Sequence, residues 1–357
     1  MMEMAVKSEI REKTEREDLG GRMSAGGGKT RIEWMDAVKG VAIVLMIFGH
    51  SMAEGQTLRT IVYSFHMPLF ILISGYFSRQ ETFVKVMQKS VKGILLPYAA
   101  ALYIKYLLLI LLDKVPWGIA HSRYLATLLV SGGFFWGSPI EQADNPDVLW
   151  FLPMLFCVRM IFWCILKISR GNVRTQVCLV LLSVITGAYL PQIKIMLAWS
   201  LDVSLFCVGF YFFGYLLRQK NLLTEMISDK WCMSCCALLW AAGVWRGLSL
   251  ELLWRYYPGE LSCVVVATAG IMVCCMATSY VCRMKVLQRT LAWIGRGSLV
   301  ILGIHLLERE FFPYGDTPPG YRLFLYKMIV ILCGYLICCL GKRAVTTAAR
   351  YCSQVNL

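Results

Sequence analysis

Residues 34–53 read WMDAVKGVAIVLMIFGHSMA, an apolar run in which Asp36 and Lys39 are the only formal charges. A helix of about 20 such residues crosses the roughly 30 Å hydrocarbon core of a bilayer. An open strand in lipid would leave its backbone polar groups unsatisfied, so the run predicts a helix. The pattern repeats along the chain, with basic loops between the repeats. Ten spans are expected, at about 34–53, 60–77, 91–112, 148–168, 175–190, 197–217, 231–247, 260–282, 290–311 and 321–341. The fifth and seventh are short by the length rule. The longest connection, 113–147, holds a semi-apolar piece from Tyr124 to Trp136 that reads as a re-entrant or interfacial helix.

Composition agrees with this all-α, polytopic transmembrane reading. Of 357 residues, 58% are hydrophobic and 16% charged, with a mean hydropathy of +0.60. An ordinary soluble domain has about 45–50% apolar and about 25% charged residues. The balance excludes a disordered chain, a collagen, a coiled-coil rod and most soluble enzymes. The net charge of +14 would suggest nucleic acid in a soluble protein. Here it reads as loop charge facing anionic lipid, so membrane lipid and no nucleic acid is the expected partner. The fifteen cysteines lie mostly in apolar runs, such as Cys274-Cys275 and Cys338-Cys339, and read as small hydrophobes. Cys232, Cys235 and Cys236 contain a CxxC spacing without a second ligand pair nearby, so no metal site is expected.

Residues 1–33 are polar, carry a glycine run at 26–28 and predict a mobile cytoplasmic tail rather than a signal peptide. Residues 34–341 form the membrane domain and 342–357 a C-terminal cytoplasmic tail. With ten spans, and with cations in the last three residues at either end of a span counted with the adjoining loop, the two tails and the even-numbered loops hold 23 Lys and Arg residues, and the odd-numbered loops hold 8. The positive-inside bias puts both termini in the cytoplasm and the protein, multi-pass, in the cell membrane. Five further cations fall inside spans: Lys39, Lys105, Arg159, Arg296 and Lys327.

Ionisable residues inside a membrane are costly and mark function. Asp36 and Lys39 are three apart on one helix and can pair. Lys39 and His50 are eleven apart, which returns to within about 20° of the same face with a rise of about 16 Å. Lys39 suits phosphates arriving at the cytoplasmic end, and His50 suits a base or nucleophile in the outer half. The plainer alternative is a snorkelling lysine above which a polar histidine packs. His66 enters the second span at a similar depth, ahead of the helix-kinking Pro68 and the small pair Ser74-Gly75. Lys89 and Lys92 precede Leu95-Leu96-Pro97-Tyr98 and read as an anion site or as ordinary positive-inside charge. Trp150, in Leu149-Trp150-Phe151-Leu152, reads as a belt aromatic or a site residue. Glu308 follows His305 by three and can orient that imidazole.

These stretches together resemble the acyltransferase-3 family of integral-membrane O-acyltransferases, nearest its fucose 4-O-acetylase-like branch. The carrying residues run from Arg31 through Asp36, Lys39 and Gly40 to Gly49-His50, then Phe65-His66-Met67-Pro68-Leu69-Phe70 with Ser74-Gly75-Tyr76-Phe77. Leu95–Tyr98, Leu149–Leu152 and Ile294-Gly295 with Ser298 leading to His305 complete the set. The likeness spans about 30–341. It implies acyl transfer, usually acetyl, from cytoplasmic acyl-CoA as donor substrate to a hydroxyl of a surface polysaccharide or lipid-linked sugar. It implies no bound cofactor, and it allows polysaccharide-synthesis proteins as partners. Lys39 stands where the family carries an Arg separated from a His by ten intervening residues; it keeps the charge without the bidentate fork. The family's arginine pair before the third helix falls at Lys89 and Lys92. His50 is then the base or an acyl carrier, and His66 shares the proton or donates to the oxyanion. A transporter is the rival class, and a non-catalytic partner in polysaccharide synthesis a third. Paired broken helices, common in transporters with inverted repeats, are not legible in the sequence.

Overall fold

The computed structural model describes residues 33–130, 146–312, 314 and 317–355. All of the expected tail except Glu33, and the part of the 124–136 piece beyond Val130, lie outside the described residues. Among those described there is no strand, only an isolated antiparallel bridge between Glu251 and Tyr256, and the named elements are all helical.

Helix α1 spans Glu33–Gly49, α2 Thr57–Tyr63 and α3 His66–Tyr76. Helix α4 (Phe83–Ser90) runs through a π turn, Val91–Leu95, into α5 (Leu96–Leu111). Helix α6 spans Trp117–Val130, α7 Phe151–Ser169, α8 Val173–Tyr189 and α9 Leu201–Gln219. A short α10 (Leu222–Ser228) leads to α11 (Lys230–Trp245) and α12 (Leu261–Val281). Helices α13 (Lys285–Arg296) and α14 (Ser298–Phe311) meet at a bend of 67°, and α15 covers Tyr321–Val355. Six stretches are long and apolar enough to cross a membrane: 57–76, 83–111, 147–169, 198–219, 261–281 and 321–347. The bent α13–α14 pair makes a seventh if it counts as one span. Helices α1 and α8, at 17 residues each, and α11, at 16, are shorter. Each of the ten expected segments coincides with a helix or helix pair, and the last one runs on past 341 as unbroken α15.

Local chemistry accounts for the interruptions. Pro97 has no N–H for the carbonyl of Gly93, and the π turn widens the helix just ahead of it. Pro68 cannot bond the carbonyl of Ser64, and the chain breaks at Ser64–Phe65 between α2 and α3. Asn172 caps α8 by accepting the amides of Arg174 and Thr175, and Asp229 caps α11 by accepting those of Trp231 and Cys232.

Helix α9 is the core of the bundle, with 72% of its 198–219 stretch buried against 17% for α15. It packs on α3, α7 and α8, and α1 packs on α13. Both principal contacts bring backbones together. A methyl group on Gly40 would land on the carbonyl of Leu291, and one on Gly295 on the carbonyl of Asp36. Gly75 and Gly214 do the same between α3 and α9. Small residues at such crossings supply the close packing that associates helices in lipid. At the start of α9, Arg255 donates through Nε to Oδ2 of Asp202 at 2.9 Å and through Nη2 to Oδ1 at 3.3 Å, with both side chains buried.

Two outcomes follow for stability. Gly295→Leu must push α13 off α1, at a cost of about 1–3 kcal/mol or more. Thermal unfolding of the purified protein in detergent should show a clear loss against wild type, while Gly341→Leu, where a Cβ meets open space, stays neutral. Arg255→Met strands the buried Asp202 carboxylate and should cost about 3–5 kcal/mol. The double variant Asp202→Leu/Arg255→Met, measured the same way, should recover part of that loss.

Candidate active site

A cavity of about 460 Å³ opens between α1, α3, α7 and the α13–α14 bend. From α1 it is lined by Lys39, Ile43, Met46 and His50, spaced four, three and four residues apart and so on one helix face. Lys39 and His50 therefore stand at its two ends, about 16 Å apart by helical rise. Helix α3 adds Met67, Phe70 and Ser74; the turn before α7 adds Trp150; α7 adds Arg159; Arg296 and Ser298 come from the two sides of the bend. Of the sequence candidates, Lys39, His50, Ser74 and Trp150 are brought together here.

At the Lys39 end, Lys39 donates to the buried Asp36 at 3.5 Å and sits 4.9 Å from the Phe77 ring centroid. Lys89 and Lys92 do not line the cavity. Both are exposed, Lys89 is paired with Glu81, and Lys92 precedes the cavity residues Gly93 and Ile94 in the π turn.

At the His50 end three imidazoles gather. His50 follows the last residue of α1, and its Nδ1 is hydrogen-bonded to the Tyr63 hydroxyl at 3.3 Å. Gly49 makes room for this, since a side chain there would collide with the Tyr63 ring. The Tyr63 ring centroid lies 4.8 Å from that of His66. His66 opens α3 after the break, buried, with Nδ1 at 2.9 Å from the carbonyl oxygen of Val62. A carbonyl only accepts, so Nδ1 carries the proton and Nε2 of a neutral His66 holds a lone pair. His305 lies two turns into α14, with its ring centroid 5.5 Å from that of His50. Its Nδ1 donates to Glu308 Oε2 at 2.6 Å, both side chains being buried. Nε2 of His305 has no hydrogen-bond partner among the described residues. Lys327 of α15 approaches the other Glu308 oxygen at 3.8 Å. A carboxylate that fixes one imidazole nitrogen and leaves the second open is the arrangement of a positioned base.

Beyond His50, Arg59 lies over the Tyr63 ring at 4.6 Å and pairs with Glu54 at 3.2 Å and Glu251 at 3.4 Å. Burial in that loop pushes the Glu251 carboxyl above the usual carboxylate range, against the pull of Arg59. Arg309 bonds Asp147 at 2.6 Å. Tyr63, Arg159, Arg296 and Lys327 are site residues that motif reading passes over. Three of them are intramembrane cations, and their rarity in such segments is the signal that identifies them. Tyr63 carries no such mark, since a tyrosine near a span end is ordinary.

A search of curated proteins and a search of solved structures each return no match. A family model described as an acyltransferase domain matches residues 32–343 and so takes in every helix that lines the cavity. The chain belongs to the acyltransferase-3 family.

Proposed function

We propose that this membrane protein transfers an acyl group, acetyl in the simplest case, from cytoplasmic acyl-CoA to a hydroxyl of a cell-surface polysaccharide or lipid-linked sugar. The observation that carries the reading is the single cavity with a cation at one end and His50 at the other. In this reading the ten helical segments are ten spans, both termini are cytoplasmic and Lys39 faces the cytoplasm, in keeping with the loop charge bias. Lys39 holds donor phosphate, and Lys89 and Lys92 add positive potential at the surface beside Gly93. The thioester arm runs along the apolar wall of Ile43, Met46 and Phe70, and its carbonyl comes to His50.

The acceptor oxygen attacks the thioester carbonyl while His50 takes the hydroxyl proton. The carbon–sulfur bond then breaks, and the proton passes to the departing thiolate. In the covalent variant His50 attacks the thioester and releases the CoA thiol, and the acceptor hydroxyl then takes the acyl group as the bond to the imidazole nitrogen breaks. His66, with a lone pair on Nε2, suits proton sharing better than donation to the oxyanion. Glu308 holds His305 beside His50 as a second acid–base group.

The test is acyl transfer from acetyl-CoA to a membrane glycan extract, with purified protein, followed as released CoA and as added acyl mass. His50→Ala should lower turnover by about 10²- to 10⁴-fold while the protein still folds. Lys39→Ala should mainly raise KM for the donor, and Lys39→Arg should raise it less. Normal turnover in His50→Ala would remove His50 from the mechanism, and a wild-type protein that transfers no acyl group would leave a transporter or a non-catalytic partner. Glu308→Gln should lower kcat by about tenfold or more with donor KM unchanged. An equal rise in KM would instead assign Glu308 to binding.

A further inference from the structure

The Lys39 end of the cavity holds two cations that the reaction above leaves unused. Arg159 is eight residues along α7 from Phe151, whose ring lies 6.0 Å from that of Phe70 on the apolar wall, and four residues before Trp163, which donates to the carbonyl of Glu81 just past Phe77. Two helical turns, about 12 Å, carry it toward the level of Lys39. Arg296 adjoins Gly295, whose contact with the Asp36 backbone holds it at the same height on α1. The cavity wall includes these three cations and no carboxylate among the described residues; Asp36 touches Lys39 from behind the wall. Neither arginine has an ion-pair partner among the described residues, and the buried Nε of Arg159 has no hydrogen-bond acceptor. Arg159 is half-buried and Arg296 exposed; the cost of a guanidinium without a counter-charge falls on the buried Nε of Arg159, and an anionic ligand removes it. The bend supplies a further donor. Helix α14 begins at Ser298, and Ser298 and Leu299 both line the cavity, so the positive end of the α14 dipole opens onto it.

We infer that Arg159, Arg296 and Lys39, with the amino-terminal end of α14, form a site for a diphosphate, the group that joins the nucleotide of the donor to its thioester arm. Two planar guanidinium forks suit two adjacent phosphates, each of which takes bidentate donation. The apolar wall between this site and His50 suits a neutral arm. The assignment rests on the acyl-CoA reading and replaces surface lysines with cavity arginines as the principal phosphate contacts.

The experiment is isothermal titration of the purified full chain in phosphatidylcholine nanodiscs with CoA and with pantetheine, which has the arm and no phosphate. Arg159→Gln and Arg296→Gln should each weaken CoA about tenfold or more, the loss of one charge-assisted contact, and leave pantetheine unchanged. Arg159→Lys should fall between wild type and Arg159→Gln, and it keeps the test open if Arg159→Gln fails to fold. Wild-type affinity for CoA in both glutamine variants would overturn the site and leave the acyl-CoA donor standing. A wild-type protein that binds no CoA would overturn the donor reading and the site with it. An anionic headgroup is the other source of phosphate at this depth. If exchanging the lipid for phosphatidylglycerol weakens CoA about tenfold or more in wild type, the site belongs to lipid and the assignment falls.

Discussion

The site depends on one contact, the meeting of α1 and α13 backbone to backbone at Gly40 and Gly295. Lipid tails are as apolar as leucine, so helices in a membrane gain little by merely hiding apolar side chains from each other. What they gain is dense packing, and that is greatest where no side chain keeps the axes apart. The Gly295–Asp36 contact fixes the height of α13 against α1 to within an atom. It thereby sets Arg296 level with Lys39 and places the start of α14 at the cavity mouth. A longer side chain at either glycine would shift both the Lys39 end and, through the bend, His305.

The 67° bend at Gly297 does the second half of the positioning. An unbroken helix would carry α14 straight on from α13, with its amides spent on internal bonds. The break ends one helix on a basic residue, begins another with open amides, and turns both ends to the cavity. It also sends His305 and Glu308 toward the end of α1, where His50 is. Gly297 is pressed against the Tyr335 ring, and Tyr335 donates to the carbonyl of Trp293 at 3.2 Å, so α15 braces the bend from outside. The last helix is thus peripheral in burial but not in effect, and through Lys327 it reaches Glu308 as well.

The helical segments were legible in the sequence because membrane helices announce themselves by length and hydropathy. Interruptions within them were legible in part. Pro68 marked the α2–α3 break, but the break falls ahead of it, at Ser64–Phe65, where the carbonyl that proline cannot bond is released. The bend at Gly297 carries no proline, and Gly-Arg-Gly-Ser at 295–298 gives little hint of 67°. In the candidate site, Lys39 and His50 could be placed on one face because both belong to a single helix of known pitch. Arg159 and Arg296 come from other helices, and their convergence depends on packing that no local spacing encodes. Lys89 and Lys92 show the converse. They read as an anion site or as ordinary positive-inside charge, and the π turn ahead of Pro97 presents Gly93 and Ile94 to the cavity while both lysines stay outside its wall.

In the proposed reaction, the arrangement separates two electrostatic tasks that would interfere if mixed. A base must be free to accept a proton, and cations at close range in a low dielectric oppose that. About 16 Å of apolar wall between Lys39 and His50 weakens the opposition. It also leaves the nearer charges of Arg59, Arg309 and Lys327 as the ones to be neutralised. Each of those is paired, with Glu251 and Glu54, with Asp147, and with Glu308 respectively. At the other end no such pairing occurs among the described residues for Arg159 and Arg296, which keep their charge available to a ligand. Among the described residues, Glu54, Glu251, Asp147 and Glu308 gather with their cations around the His50 end, and no carboxylate lines the cavity at the other, where Asp36 sits behind Lys39.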